Sequence, residues 1–162
     1  MADLLPEFGK QLTSTLTRNG KLVLELATAP IPTPGPDEVV IQIEACPINP
    51  SDLMTMIPVI NPAHATFSDG TGTPQVVAEL PADIAERFSD RFDQPLTIGL
   101  EGAGTVVAAG ENARDLLGKK VAALTLTRGM FSQYCKVKRT DCLPLADGVS
   151  SAQGAALFCN PM

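Results

Sequence analysis

The chain has no tryptophan, one tyrosine and one histidine in 162 residues, and aromatic side chains make up only 4% of it. Its core must therefore be assembled from Val, Leu, Ile and Ala. No run of apolar residues is long enough to span a bilayer. The N-terminus places Asp3 and Glu7 where a secretory signal needs a basic segment followed by an apolar one. Together these absences indicate a cytoplasmic protein. Positive charge is also scarce. A formal net charge of −6 and a pI near 4.7 exclude binding to a phosphate backbone, which needs clustered Lys and Arg. The one basic cluster, Lys136, Lys138 and Arg139, reads as a solvated strand face. The four cysteines (46, 135, 142 and 159) contain no C-x-x-C pair, which argues against a structural zinc site and for buried thiols.

Proline (14) and glycine (13) are abundant, which favours many short strands joined by turns. Thr13–Arg18 and Lys21–Leu26 flank Asn19-Gly20, a hairpin signal that predicts a type I′ turn. The stretch 29–36 holds four prolines and can be neither helix nor central strand. Val39–Ala45 alternates as a strand burying mainly one face, and Pro47 and Pro50 end it. Ser51–Met56 suits one short helical turn capped by Ser51 or Asp52. Residues 57–95 start as a loop, in which His64 reads as a surface residue. They continue into the best helix pattern of the chain, Ala82–Phe92, with Pro81 at its first turn and Ile84, Phe88 and Phe92 on one face. Further strands are expected at Gly104–Ala109, Lys120–Leu126, Phe131–Val137 and Cys142–Leu145. Ser150 and Gln153 form a capping-box signature for a last helix.

Two stretches carry the chemistry. One is Cys46-Pro-Ile-Asn-Pro-Ser-Asp52. The other is Gly99-Leu-Glu-Gly-Ala-Gly-Thr-Val-Val-Ala-Ala-Gly110, followed by Gly118-Lys-Lys-Val-Ala-Ala123 and Gly129-Met-Phe-Ser-Gln-Tyr134. The glycine spacing is G-x-x-G-x-G and leads into a strand, so these glycines serve tight turns and close strand approach rather than a nucleotide loop. In this order and spacing the motifs resemble the N-terminal, GroES-like domain of the medium-chain dehydrogenase/reductase superfamily. The resemblance runs from about Leu12 to Met162. It implies a mainly β (α+β) fold, a partly open GroES-like β-barrel with short helices. On this reading residues 1–162 form one such domain, with an N-terminal hairpin at 12–27 and an inserted loop and helix at 57–95. The insertion suggests a lid or a subunit contact; the simpler reading is a surface excursion that packs Ile84 and Phe88 on the barrel.

Within the superfamily the details resemble the zinc-independent quinone oxidoreductase and enoyl reductase branch. Metal-dependent relatives carry a Cys where this chain has Asn49 and a His where it has Leu100. Neither residue supplies a thiolate or imidazole, so the expectation is no catalytic and no structural metal. The resemblance implies an NADPH- or NADH-dependent oxidoreductase that reduces a quinone or an α,β-unsaturated carbonyl compound. Asn49 and Ser51 would be the catalytic residues, and Asn49, Met54 and Asn160 would approach the cofactor. The Rossmann domain that would hold the cofactor in cis is not part of these residues, and the isolated chain is expected to be inactive. The implied partners are a small-molecule substrate and a second copy of the protein, with no nucleic acid and no membrane. Glu101 reads as structural, paired with an arginine of the further domain, and Tyr134 as a packing residue. Enoyl reductases of the branch use a Tyr after the Ser-Asp pair, and residues 53–95 contain none. The alternative is a non-catalytic GroES-like interaction module that grips a partner through apolar residues of the 57–75 loop, Ile57, Val59 and Ile60.

Overall fold

A computed structural model describes residues 5–56, 60–68, 72–126 and 129–159, with the side chains of Pro62, Ile84 and Ala85 left aside. The expected helix face at Ile84 and the loop residues Ile57 and Val59 thus lie outside the described part. The fold is mainly β, as expected. Among the described residues, ten strands form two antiparallel five-stranded sheets.

The first sheet starts with the hairpin of β1 (Phe8–Thr17) and β2 (Lys21–Pro30). Its turn differs from the expectation. Thr17 pairs with Lys21, so residues 18–20 form a three-residue loop. Gly20, and not Asn19, takes positive φ (+76°). Gly20 N–H donates to the Thr17 carbonyl at 3.0 Å. This is a type I turn closed by a glycine bulge. The Thr17 hydroxyl is the local reason: it bonds the Asn19 side chain and exchanges hydrogen bonds of 3.0 and 3.1 Å with the Lys21 backbone.

β3 (Glu38–Ala45) leads into the second sheet. The segment after it departs most from the expected loop and helix. β4 (Thr66–Ser68) and β5 (Gln75–Glu79) extend the first sheet, with β5 pairing along β2 from Lys21–Glu79 to Glu25–Gln75. The insertion is therefore structural sheet. Helix α2 spans only Ala82–Arg87, followed by a 3-10 turn at Ser89–Arg91. Tertiary packing explains the early end, because Phe88 and Phe92 both pack on the core of Leu16, Leu22 and Leu80. Just beyond, Asp93 takes φ +60° and pairs with Arg18 at 2.8 Å. Ile60 packs on that same core, so this apolar loop residue is not offered to a partner.

A two-residue strand, β6 (Leu96–Thr97), pairs with β1. The second sheet then adds β7 (Glu101–Ala109), β8 (Lys120–Leu124), β9 (Tyr134–Lys138) and β10 (Cys142–Pro144), in the order β10-β8-β7-β3-β9. Its core is aliphatic, with Val39, Ile41, Val106, Leu116, Val121 and Val137 buried. The sheets join where Leu12 N–H donates to the Phe131 carbonyl and Gln133 N–H to the Lys10 carbonyl, each at 2.8 Å. That seam curls the two sheets into a partly open barrel.

The remaining helices are short: α1 (Pro50–Met56) and α3 (Ser151–Gly154). The capping box on α3 forms as expected, with Ser150 and Gln153 bonding each other's backbone N–H. The basic cluster is largely neutralised: Lys136 pairs with Glu38 at 2.8 Å, and Arg139 forks onto Asp115. No helix among the described residues is long and apolar enough to cross a membrane.

Candidate functional site

The site grows from the start of α1. Pro50 opens this helix with its fixed φ and missing N–H, as suits a first helical position. Asn49 precedes it, and its carbonyl accepts from the N–H of Asp52 at 2.9 Å and of Leu53 at 3.3 Å. Neither Ser51 nor Asp52 is the cap. Instead Asp52 reaches back, and its Oδ2 accepts from Asn49 N–H at 2.8 Å. The acidic residue three positions after Asn49 is the sequence signal for this reciprocal bond.

The second oxygen of Asp52 has a distant use. Oδ1 accepts from Leu100 N–H at 3.1 Å. One carboxylate, only 2% exposed, thus holds together the two positions at which metal-dependent relatives of the resemblance carry thiol and imidazole. Asn49 is 3% exposed and donates from Nδ2 to Glu101 Oε1 at 3.1 Å. Glu101 is fully buried, and its Oε2 accepts from the N–H groups of Phe158 and Cys159, each at 2.9 Å. Within this chain the carboxylate is thus satisfied by an amide and two backbone donors. The role of Glu101 could not be read from sequence, since its donors lie 52, 57 and 58 residues away.

A groove of about 180 Å3 runs beside this network. Asp52, Thr55, Thr97, Gly99, Leu100 and Leu126 are among its walls. Among the described residues Asp52 is the only ionisable one that lines it, and backbone donors bond both of its oxygens. Thr125 N–H donates to the Leu100 carbonyl at 2.7 Å and so fixes the opposite wall. Apolar side chains stand out around the start of α1: Ile48 is 69% exposed, Met54 76% and Leu126 81%.

Of the residues singled out in the sequence, Asn49, Ser51 and Met54 share this end of α1. Asn49 is buried, whereas Ser51 and Met54 are exposed. Asn160 lies outside the described residues. Tyr134 sits away from the groove, with its ring 2.9 Å from where a Cβ on Gly9 would stand. His64 is exposed. Among the described residues no group of three or more His, Cys, Asp or Glu is arranged around a common point that could hold a metal ion.

Cys46, at the end of β3, donates its thiol to the Met130 carbonyl at 3.1 Å. Burial, reinforced by Cys135, Asp52 and Glu101, pushes this thiol up to about 12. Burial and then Asp141 do the same to Cys142, also to about 12. At pH 8 a thiol with such a value is ionised about a thousandfold less than an ordinary one. We predict that iodoacetamide modifies the exposed Cys159 first, leaving Cys46 and Cys142 untouched until the chain unfolds. Peptide mapping by mass spectrometry checks this, and early labelling of Cys46 would contradict the buried geometry.

Comparison with known proteins gives this site a context. The family model described as the alcohol dehydrogenase GroES-like domain matches residues 35–147. The chain is 28% identical over 141 residues to the synaptic vesicle membrane protein VAT-1 homolog of Rattus norvegicus, covering 86% of this chain. It spans only 28% of the length of that relative. Among solved structures, a candidate NADPH:quinone reductase from Mesorhizobium loti superposes with a TM-score of 0.64 at 26% identity, over 98% of this chain and 42% of that one. The CurK enoyl reductase superposes with a TM-score of 0.60 at 21% identity, over 95% of this chain and 40% of that one. The family match and the two-sheet barrel lead to one assignment: this chain belongs to the alcohol dehydrogenase GroES-like domain family, whose barrel is found in quinone oxidoreductases and enoyl reductases of the medium-chain dehydrogenase/reductase superfamily.

Proposed function

We propose that this barrel is the substrate-side wall of a metal-independent NAD(P)H-dependent oxidoreductase that reduces a quinone or an α,β-unsaturated carbonyl compound in the cytoplasm. The observation that carries the reading is the pairing of Asn49 and Leu100 through Asp52. An amide and an aliphatic side chain occupy the positions where a zinc-binding relative needs soft and imidazole ligands. Without a Lewis acid, charge that develops on a substrate oxygen has to be met by hydrogen-bond donors. Conjugated acceptors suit that situation, because the charge delocalises before a proton arrives.

A nicotinamide cofactor, when bound, supplies the hydride. The residues present fit such a group: Met54, on the helix that Asn49 precedes, offers an exposed apolar side chain, as a flat uncharged ring requires. Asn49 and Met54 would hold it on this side, with Asn160 as a further contact. The exposed aliphatic side chains of Ile48, Leu53 and Leu126 would exclude water once covered by a further domain, which favours an uncharged substrate. The exposed hydroxyl of Ser51 is a donor for the substrate oxygen. The chain by itself is expected to show no turnover, since nothing among the described residues forms the strand, glycine turn and helix of a dinucleotide site.

The test uses a protein that carries this barrel together with a nucleotide-binding domain. NADPH oxidation is followed with a quinone and with an aliphatic enone as acceptors, with and without a chelator. Turnover should survive the chelator, and Asn49→Ala should lower kcat by about a hundredfold, the scale of one lost transition-state contact. An unchanged kcat in Asn49→Ala removes this residue from the site, and loss of activity to the chelator overturns the metal-free reading.

A further inference from the structure

We propose that the cavity at the seam of the two sheets binds a small carboxylate carried on one apolar ring. The site is separate from the groove beside Asp52, and the inference does not rest on the redox reading.

The cavity measures about 220 Å3 and lies where β1 and the end of β2 meet β9. That is below the range of about 300–1,000 Å3 usual for drug-sized ligands, so the occupant is limited to a single ring. Among the described residues only Thr97 lines both this cavity and the groove beside Asp52. Pro30, Ile31 and Pro32 supply apolar lining. The proline rings fix φ there, and Ile31 N–H is tied to the Glu7 carbonyl at 3.0 Å. This part of the wall is therefore built before a ligand arrives, which lowers the cost of binding.

Other lining residues supply donors. Tyr134 and Lys136 lie two positions apart on β9 and so share one face of the strand. The Tyr134 hydroxyl has no partner among the described residues and is not shut off from solvent. The Lys136 side chain is only 18% exposed, and Glu38 at 2.8 Å holds its ammonium in place. An ammonium carries three N–H donors, so that pair leaves room for a second acceptor. Lys10 lines the cavity as well. Its ammonium donates to a neutral hydroxyl, Thr28 Oγ1, at 2.7 Å, and meets no carboxylate among the described residues.

Charge decides the class of ligand. Two ammonium groups, Lys10 and Lys136, stand against one carboxylate, Glu38, in a chain whose formal net charge is −6. A cation would add to this local excess, and an uncharged molecule would leave it unmet. A carboxylate offsets it while accepting from Tyr134 O–H and Lys136 N–H. Inorganic phosphate meets the charge but makes no use of the proline wall.

The experiment titrates this chain, 15N-labelled, at pH 7 with benzoate. Benzyl alcohol keeps the ring without the charge, and inorganic phosphate keeps the charge without the ring. Benzoate should shift the backbone amides of residues 9–11 and 132–136 saturably, with a Kd of about 1 mM or tighter, the scale of a fragment. The amides of Asp52 and Leu100 should stay in place. Benzyl alcohol and phosphate should each bind at least about tenfold more weakly. Tyr134→Phe keeps the ring against Gly9 and removes only the hydroxyl; it should weaken benzoate about fivefold. Lys136→Met should weaken it about tenfold or more. Shifts that grow without saturating, saturation centred on Asp52 and Leu100, or equal binding by either control compound would overturn the inference. So would an unchanged benzoate Kd in either folded variant. No cofactor and no turnover enter the readout, so absence of NADPH-dependent activity would remove the redox reading and leave this result intact.

Discussion

Replacing Gly104 by alanine is expected to destabilise the chain by more than about 4 kcal/mol, or to prevent folding altogether, because the added carbon has nowhere to go. A Cβ at this position would stand 1.9 Å from the Gln42 carbonyl oxygen, 2.8 Å from its carbonyl carbon and 2.9 Å from Ile43 Cα. All three are backbone atoms of β3 and cannot rotate aside. The close approach follows from the pairing of β3 with β7, whose register shifts twice, between Val40 and Ile41 and between Ile43 and Ala45. Each shift kinks the strand and presses it against its partner. Gly118 is the internal control. It has φ +77° with nothing within 4 Å of a built Cβ, so Gly118→Asn should cost about 1 kcal/mol or less. Urea unfolding of both variants measures the contrast. A Gly104→Ala midpoint equal to that of the parent chain would show that β3 and β7 do not meet in this register.

Asp52→Ala is expected to lower stability by about 2–4 kcal/mol. The loss is larger than for an ordinary surface carboxylate because two backbone donors, Asn49 N–H and Leu100 N–H, lose their acceptor together. Asp52→Asn should lie between the two. Its single carbonyl satisfies one donor, while its NH2 faces the other. Both variants unlink the start of α1 from the groove wall, so amide exchange at residues 49 and 100 should accelerate before global unfolding. Denaturant curves with residue-resolved exchange test this. A stable Asp52→Ala with slow exchange at Leu100 would mean that the two segments meet without this carboxylate.

Most of the strands were legible because each has a local cause. The alternation in Val39–Ala45, the Asn-Gly between two β-rich arms and the Ser150/Gln153 pair act over a few residues. Even there, the turn is a three-residue loop and not the expected type I′ turn. The Thr17 hydroxyl captures Asn19 and the Lys21 backbone, and so lengthens the loop to three residues. β5 carries Val76 and Val77, but the surrounding Gly and Pro suggest loop, and the strand is made by its distant partners, β2 on one side and β4 on the other. The pattern at Ala82–Phe92 promised a continuous helix. Burial of two phenylalanines on a core made by β1 and β2 outweighed the period and cut it at Arg87.

The candidate site divides in the same way. The sequence by itself determined the place of the Asn-Pro-Ser-Asp turn, a consequence of residue type and short spacing, and its motifs carried the family resemblance that implies the class of barrel and sets Asn49 and Leu100 against the thiol and imidazole of metal-dependent relatives. Only the tertiary structure decided that Asn49 is buried, that Asp52 bonds Leu100 and that Glu101 receives the Phe158–Cys159 turn. A buried carboxylate is stable only when donors surround it, and donors some fifty residues distant are delivered by the packing of sheets, which no local pattern of residues encodes.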